Sequence, residues 1–301
     1  MSVSVNNLSK QYGKQLVVDD ISFLAEKGKI TGFLGPNGAG KSTTMKIATC
    51  FIPATNGTVE IEGLNVNNNP IEIKRKIGYL PEHNPLYLDM YVLESLEFTA
   101  SLYGQRNNKA RIASVIEQVG LGKEQGKKVG QLSKGYRQRV GLAQAIIHDP
   151  EVLILDEPLT GLDPNQIVEI RSLIKDLGKN KTVIFSTHIM QEVQYLCDKV
   201  IIINKGKIVA DKSLSDLQLS DDNSKIVLVE FGKSFDSQSL NSLKGVISVI
   251  TQSITHAKIT YSPEHDIRPD LFNWAQQNNN AILSLRAQEE SLETIFQKLT
   301  S

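Results

Sequence analysis

Cysteine is nearly absent from this chain, and long apolar runs and an excess of charge of one sign are absent altogether. The two cysteines, Cys50 and Cys197, stand alone and fit neither a metal-binding nor a redox spacing. That pattern points to a reducing cytosol and to thiols with a core role. No apolar stretch approaches the length that crosses a bilayer, so any work at a membrane is expected to go through a partner. The opening residues, Met1 to Asn7, carry neither a basic region nor an apolar core, and no signal peptide is expected. Lys plus Arg and Asp plus Glu number 33 each, leaving no global charge to make nucleic acid or an anionic membrane the main partner. What remains is ordinary for a globular protein: 40% apolar and 22% charged residues. A length of 301 residues suits about two domains.

One stretch organises the rest. Ile30 to Leu34 reads as a short apolar strand, and Gly35-Pro36-Asn37-Gly38-Ala39-Gly40-Lys41-Ser42 follows with the phosphate-binding spacing G-x-x-x-x-G-K-[ST]. Polyphosphate oxygens must be met by several backbone N–H groups at once, so the loop must curl tightly. Gly35, Gly38 and Gly40 permit that curl and the close approach. Thr43 to Thr49 then reads as a helix whose positive N-terminus faces the phosphates. Lys41 supplies a mobile cation, and the Ser42 hydroxyl a hard oxygen for Mg²⁺. A strand before and a helix after are the context such a motif needs. The loop alone leaves kinase, GTPase and ATP-driven motor open.

Around it, Val3 to Val5, Ile21 to Phe23 and Thr58 to Glu62 alternate like half-buried strands of an antiparallel sheet. Tyr12 is expected in the loop between the first two, where it either stacks on a purine base or sits as a surface tyrosine. Ile77 to Leu80 is a further strand, running into a proline-bounded loop at Pro81 to Pro85. Residues 92–142 take on helical spacing, with Gly104 and Gly120 to Gly122 as stops. Ser133 is placed as the N-cap of a helix whose apolar face is Val140, Ala143, Ile146 and Ile147. Such a start is either a plain cap or a second phosphate contact.

Val152 to Leu155 is a continuous apolar run, suited to a strand buried on both faces, and it ends in Asp156-Glu157. Two acids at a buried strand end need something positive, or a proton to handle. Asp156 suits the support of Mg²⁺ and Glu157 the activation of the attacking water. Asp163 either caps the next helix or touches a neighbouring element. Thr182 to His188 is another buried strand. Open α/β sheets carry their sites at the carboxyl ends of the strands, which puts Gly35, Asp156 and His188 on one rim, with a neutral His188 able to bond a γ-phosphate oxygen. His83, His148, His256 and His265 read as surface or structural. Ile201 to Val209 reads as a hairpin turning at Asn204 to Gly206.

In this order the segments resemble the ATP-binding subunits of ABC transporters, over about residues 1–215. The resemblance implies a P-loop NTPase fold of the ABC type: a RecA-like parallel sheet core, an antiparallel β subdomain and a helical subdomain at about 84–148. It makes the Lys10 to Gly13 segment look like the adenine-stacking loop, with Tyr12 as the stacking ring, and residues 35–43 like the Walker A contact, Thr43 included. Leu132 to Tyr136 looks like the family signature, Gly161 to Asp163 like the D-loop and His188 like the switch histidine. The family implies ATP and Mg²⁺ as cofactors and a head-to-tail dimer, homo- or heteromeric, with two ATPs between subunits. Ser133 and Gly135 of one chain would then meet the phosphate held by Lys41 of the other, with Asp163 at the same contact. A membrane-spanning permease is the implied partner, nucleic acid is not, and the implied place is the cytoplasmic face of the cell membrane.

Two positions depart from the family pattern. The loop glutamine that touches Mg²⁺ falls on Glu82, whose carboxylate can accept the metal but adds negative charge that Mg²⁺ or Lys41 must offset. Lys134 and Tyr136 replace the commonest signature residues, while Ser133 and Gly135 are intact. Residues 78–87 and 132–139 are similar to the exporter branch, and within it to the gliding-motility-associated type. The rival is a soluble ABC-type ATPase switch without a transporter; its usual second cassette or long coiled-coil insertion is missing here. A GTPase or kinase leaves the signature segment unexplained.

Residues 211–224 read as a polar connector, and 222–301 as a separate C-terminal domain. Its expected β-α-β-β-α-β order suggests a ferredoxin-like split fold closed by a helix at Leu292 to Leu299. Trp274 is expected in its core. No catalytic cluster is visible there, and a regulatory or dimer-stabilising role is the expectation.

Overall fold

The computed structural model describes residues 2–105, 108–219, 225–288 and 292–300. The chain divides into two compact units: one reaches to Leu214 and includes the end from Leu299, and the other is Ser215–Lys298.

In chain order the first unit runs β1 (Val3–Tyr12), β2 (Gln15–Ala25), β3 (Ile30–Leu34), α1 (Lys41–Ala48), β4 (Asn56–Ile61), β5 (Leu64–Asn65), α2 (Pro70–Lys76) and β6 (Ile77–Leu80). It continues through α3 (Val92–Leu102), α4 (Lys109–Gln118), α5 (Lys134–Ile146), β7 (Val152–Asp156), α6 (Pro164–Gly178), β8 (Thr182–Thr187), α7 (Met190–Leu196), β9 (Lys199–Asn204) and β10 (Lys207–Ser213).

Two sheets result. The first is antiparallel, in the order β2-β1-β4-β5. The second has six strands in the order β10-β9-β3-β8-β7-β6, parallel from β9 to β6 and antiparallel only at β10. Every residue of β3, β7 and β8 is buried, as strands covered on both faces must be. Phe33, Ile154, Ile184 and Ile201 pack in one cluster with Val5, Ile21 and Ile61 of the antiparallel sheet. Each such side chain contributes roughly 1.5–3 kcal/mol on burial.

Register positions the site. Leu34 lies opposite Thr187, and Asp156 opposite Ser186. The ends of β3, β8 and β7 therefore finish side by side, and the residues that follow them, Gly35, His188 and Glu157, start on one rim.

Between β6 and β7 the segment is helical. Gly104 and Gly120, both at positive φ, follow the ends of α3 and α4 as stops. Ser133 caps α5 by accepting the Tyr136 N–H at 3.4 Å, with Val140, Ala143, Ile146 and Ile147 buried behind it. His148 stacks on Tyr103 at 3.8 Å and places Nε2 2.9 Å from the Ile77 carbonyl, a structural role. Burial lowers its pKa below the ordinary histidine value, the Ile77 bond partly opposing.

Three expectations change. Tyr12 is the last residue of β1, paired with Gln15, because the turn is tighter than the expected loop. The helix after the phosphate loop starts at Lys41 rather than Thr43, since Gly40 already takes the cap position. Residues 211–219 are not connector: β10 pairs with β9 up to Ser213, and α8 (Leu214–Leu219) follows at once. The remainder of that stretch, 220–224, lies outside the described residues.

After α8 come β11 (Lys225–Phe231), α9 (Ser237–Asn241), β12 (Val246–Thr251), β13 (His256–Tyr261), α10 (Arg268–Gln277), β14 (Ile282–Gln288) and α11 (Leu292–Thr300), which the second unit holds up to Lys298. The antiparallel order β12-β13-β11-β14 is that of a ferredoxin-like split fold. Trp274 is 6% exposed, meets Phe231 edge-on, and donates its indole N–H to Ser239 Oγ at 3.1 Å.

Candidate functional site

Leaving β3, the chain turns through Gly35 to Gly40 and is pinned on several sides. The Gly35 N–H donates to the Thr187 carbonyl at 3.3 Å, the Ala39 N–H to the Pro36 carbonyl at 3.2 Å, and the Gly206 N–H to the Ala39 carbonyl at 3.0 Å. Gly40 sits at φ 108°, and a Cβ there would come within 2.8 Å of the Val17 carbonyl. Helix α1 then opens with no side-chain cap and no acidic residue in its first turn, so its N–H groups and dipole suit an anion.

Lys41 is buried, and its Nζ donates to the carbonyls of Gly35 at 2.8 Å and Pro36 at 3.2 Å. The cavity before it measures about 310 Å³. The loop lines it with Asn37, Gly38 and Gly40, and α1 with Lys41, Ser42 and Thr43. Val17, Glu82 and Glu157 complete the wall.

The acids converge here. Asp156 is 1% exposed. The Ser186 hydroxyl donates to its Oδ1, and the Ser42 hydroxyl bonds it as well. Burial pushes its carboxyl above the usual range; the two serines pull it back, and the charges of Glu82 and Glu157 raise it again. Glu157 has φ 51°, unusual for a residue with a side chain. Its N–H is held by Ser186, through Oγ at 3.1 Å and the carbonyl at 3.2 Å. Its Oε1 lies 3.5 Å from Lys41 Nζ. Its Oε2 accepts from Thr160 Oγ1 at 2.9 Å and lies 2.9 Å from His188 Nδ1.

Glu82 and Glu157 line the cavity beside one buried lysine, and the Asp156 carboxylate bonds Ser42 of the same wall, a surplus of negative charge that a hard divalent cation would balance. Among the described residues no group of three or more His, Cys, Asp or Glu forms a metal cage. Mg²⁺ keeps waters and takes phosphate oxygens with few protein ligands, and a hydroxyl and carboxylates are hard oxygen donors of the kind it accepts. Ser42, Asp156 and Glu82 are the residues that would hold it, and when bound it would neutralise charge on the phosphates.

Nine expected site residues are not in the lining of this cavity. Gly35, Pro36, Ala39, Asp156 and His188 stand behind it, bonded or adjacent to residues that are; the other four are Tyr12, Ser133, Gly135 and Asp163. Tyr12 is 48% exposed at the end of β1, with Lys10 Nζ 5.1 Å from its ring centre. Ser133 caps α5, and Gly135 in its first turn packs so closely on Gln166 that a Cβ would overlap that side chain. Asp163 caps α6 by accepting the Gln166 N–H at 2.9 Å. Ser133, Gly135 and Asp163 therefore gather where α5 and α6 begin.

Val17, Thr160 and Ser186 belong to the site without having been expected. Ser186 is a polar residue directly after the apolar run Val183 to Phe185, and Thr160 stands three residues after Glu157 across a proline turn. Both are signals of a kind; Val17 offers none.

The family model described as ABC transporter matches residues 18–160. The linearmycin resistance ATP-binding protein LnrL of Bacillus subtilis is 34% identical over 99% of this chain and 98% of its own length. The bacitracin transport ATP-binding protein BcrA of Bacillus licheniformis is 37% identical over 99% of this chain and 96% of its own. Among solved structures, the dimeric bacterial ABC transporter cassette MJ0796 superposes with a TM-score of 0.65 at 25% identity, covering 70% of this chain and 98% of that one. Among the described residues no helix is long and apolar enough to cross a membrane. With relatives at this identity along nearly the full length of both chains, the protein belongs to the ABC transporter family, as one of its ATP-binding, ATP-hydrolysing subunits.

Proposed function

We propose that this chain powers an exporter, binding Mg–ATP at the Lys41 cavity and hydrolysing it with Glu157. The observation that carries the reading is the meeting of the phosphate-loop amine and the Glu157 carboxylate at 3.5 Å on the rim of a buried sheet. Gly35 to Gly40 and the first turn of α1 supply N–H groups to the phosphates, with Pro36, Ala39 and Thr43 shaping that cradle. Glu157 takes the proton of the attacking water, and His188 bonds the same carboxylate. Tyr12 offers its exposed ring to the adenine. Ser133 and Gly135, with Asp163, act on the nucleotide of a second subunit; their absence from the lining of the chain's own cavity and the dimeric state of MJ0796 support this. The chain works at the inner face of the membrane, with a permease as partner and its C-terminal unit regulating or strengthening the dimer.

The relatives bear names of antibiotic resistance and bacitracin transport, which favours a peptide or amphiphilic antibiotic as cargo. The narrower expectation of a gliding-motility exporter rests on overall likeness, extending to the C-terminus, and on no mechanistic motif. Deleting the gene separates the two, since one reading expects lost surface spreading and the other sensitivity to such antibiotics.

The enzymatic reading is tested by Glu157→Gln. It keeps ATP binding, loses roughly 100-fold or more in hydrolysis rate, and elutes as a nucleotide-trapped dimer. Normal turnover in that variant would remove Glu157 from the mechanism.

A further inference from the structure

The Glu157 carboxylate is held unevenly. One oxygen, Oε2, has two neighbours at 2.9 Å, the Thr160 hydroxyl and His188 Nδ1. A carboxylate oxygen offers about two lone-pair sites, so Oε2 is saturated. The other, Oε1, faces Lys41 Nζ at 3.5 Å, on the side of the cavity that Glu157 lines.

The backbone explains how Thr160 reaches it. Glu157 to Thr160 closes a turn, with the Thr160 N–H donating to the Glu157 carbonyl at 3.2 Å. Pro158 fixes the second position of that turn, and the hydroxyl comes back over the side chain that began it. On the far side, Ser186 grips the Glu157 N–H at 3.1 Å and holds the left-handed backbone. The glutamate is thus clamped by its N–H at one end and by Oε2 at the other.

We propose that Thr160 is a positioning residue for hydrolysis: its hydroxyl, with His188 Nδ1, occupies Oε2 and leaves Oε1 as the oxygen that takes the proton from water. This rests on the reading of Glu157 as the base.

Thr160 is exposed, so replacing it leaves the core untouched. The full-length chain is assayed as Thr160→Val and Thr160→Ser, alone and with Glu157→Gln. Loss of a hydrogen bond to a charged group lowers kcat about tenfold in Thr160→Val, with KM for ATP, ATP affinity and thermal midpoint unchanged. Thr160→Ser restores kcat, and Thr160→Val has no further effect in the Glu157→Gln background. Full kcat in Thr160→Val, a loss shared with ATP affinity, or failure of Thr160→Ser to rescue each overturns the proposal. If Glu157→Gln alone hydrolyses ATP normally, the reading of Glu157 as the base fails. If Glu157→Gln stalls while Thr160→Val runs at full speed, only the role of Thr160 fails.

Discussion

Lys41 Nζ stands 3.5 Å from Glu157 Oε1, with 6% and 7% of the two side chains exposed. A buried pair at this distance contributes little net stability, because desolvation offsets much of the attraction. What it does is hold a cation and a base against the same small cavity. The amine also donates to two loop carbonyls, neutral acceptors that it can exchange for charged phosphate oxygens.

Lys41→Ala removes that cation and leaves Glu82 and Glu157 lining the cavity without it. ATP affinity is expected to fall roughly 10- to 100-fold, the worth of one or two charge-assisted hydrogen bonds. Titration with a fluorescent ATP analogue reads the effect, and an unchanged curve would count against the phosphate loop.

Glu82 lines the cavity with its side chain 44% exposed. It replaces a neutral residue type of the family with a charge, so it raises the demand for a cation. Glu82→Gln is expected to weaken Mg²⁺ affinity, shifting the half-saturating Mg²⁺ concentration upward by a few-fold to about tenfold, as for loss of one charged contact. A superimposable Mg²⁺ curve argues against direct contact with the metal.

Local signals made much of this legible in advance. The phosphate loop is readable because its glycine spacing encodes backbone geometry within eight residues. The strands β3, β7 and β8 are readable because burial on both faces demands unbroken apolar runs. The order of strands is not local: β3 lies between β8 and β9, and no pattern near Ile30 announces Thr182 or Lys199 as neighbours. Ser186 was missed for the same reason. Its two contacts depend on lying opposite Asp156 in the register, a relation spanning 30 residues. Tyr12 was misplaced because a two-residue turn and a longer loop look alike when the flanking strands are polar.

Asp156 links stability to pH. Its carboxyl is pushed above the ordinary range, chiefly by burial, so the folded state holds that proton more tightly than the unfolded chain. The stabilisation is present below the ordinary carboxylate pKa, about 4, and is lost as pH rises through the higher folded value. The metal-free protein is therefore expected to lose stability over that window, and Mg²⁺ to oppose the loss. Asp156→Asn keeps an acceptor for Ser186 but cannot ionise. Thermal unfolding in EDTA should show a smaller decline with rising pH in the variant, together with loss of the Mg²⁺ response. Parallel pH profiles for the two proteins would refute the linkage.

Helix α5 owes its seat to the absence of a side chain. At Gly78 in β6 a Cβ would lie 2.1 Å from the Ala145 carbonyl oxygen and 2.7 Å from Leu153 Cδ2. Neither a helix carbonyl nor a side chain buried in β7 can move aside freely, so Gly78→Ala must push α5 away from the sheet. Overpacking of this kind is expected to cost about 1–3 kcal/mol, read from urea unfolding as a lower midpoint. The phosphate loop, α1 and Glu157 are built on β3 and β7 rather than on β6. ATP affinity of the isolated chain should therefore stay near that of the parent, while dimer trapping in the Glu157→Gln background weakens, because Ser133 and Gly135 travel with α5. Loss of affinity equal to the loss of trapping would mean that α5 and the nucleotide cavity are not separable in this way.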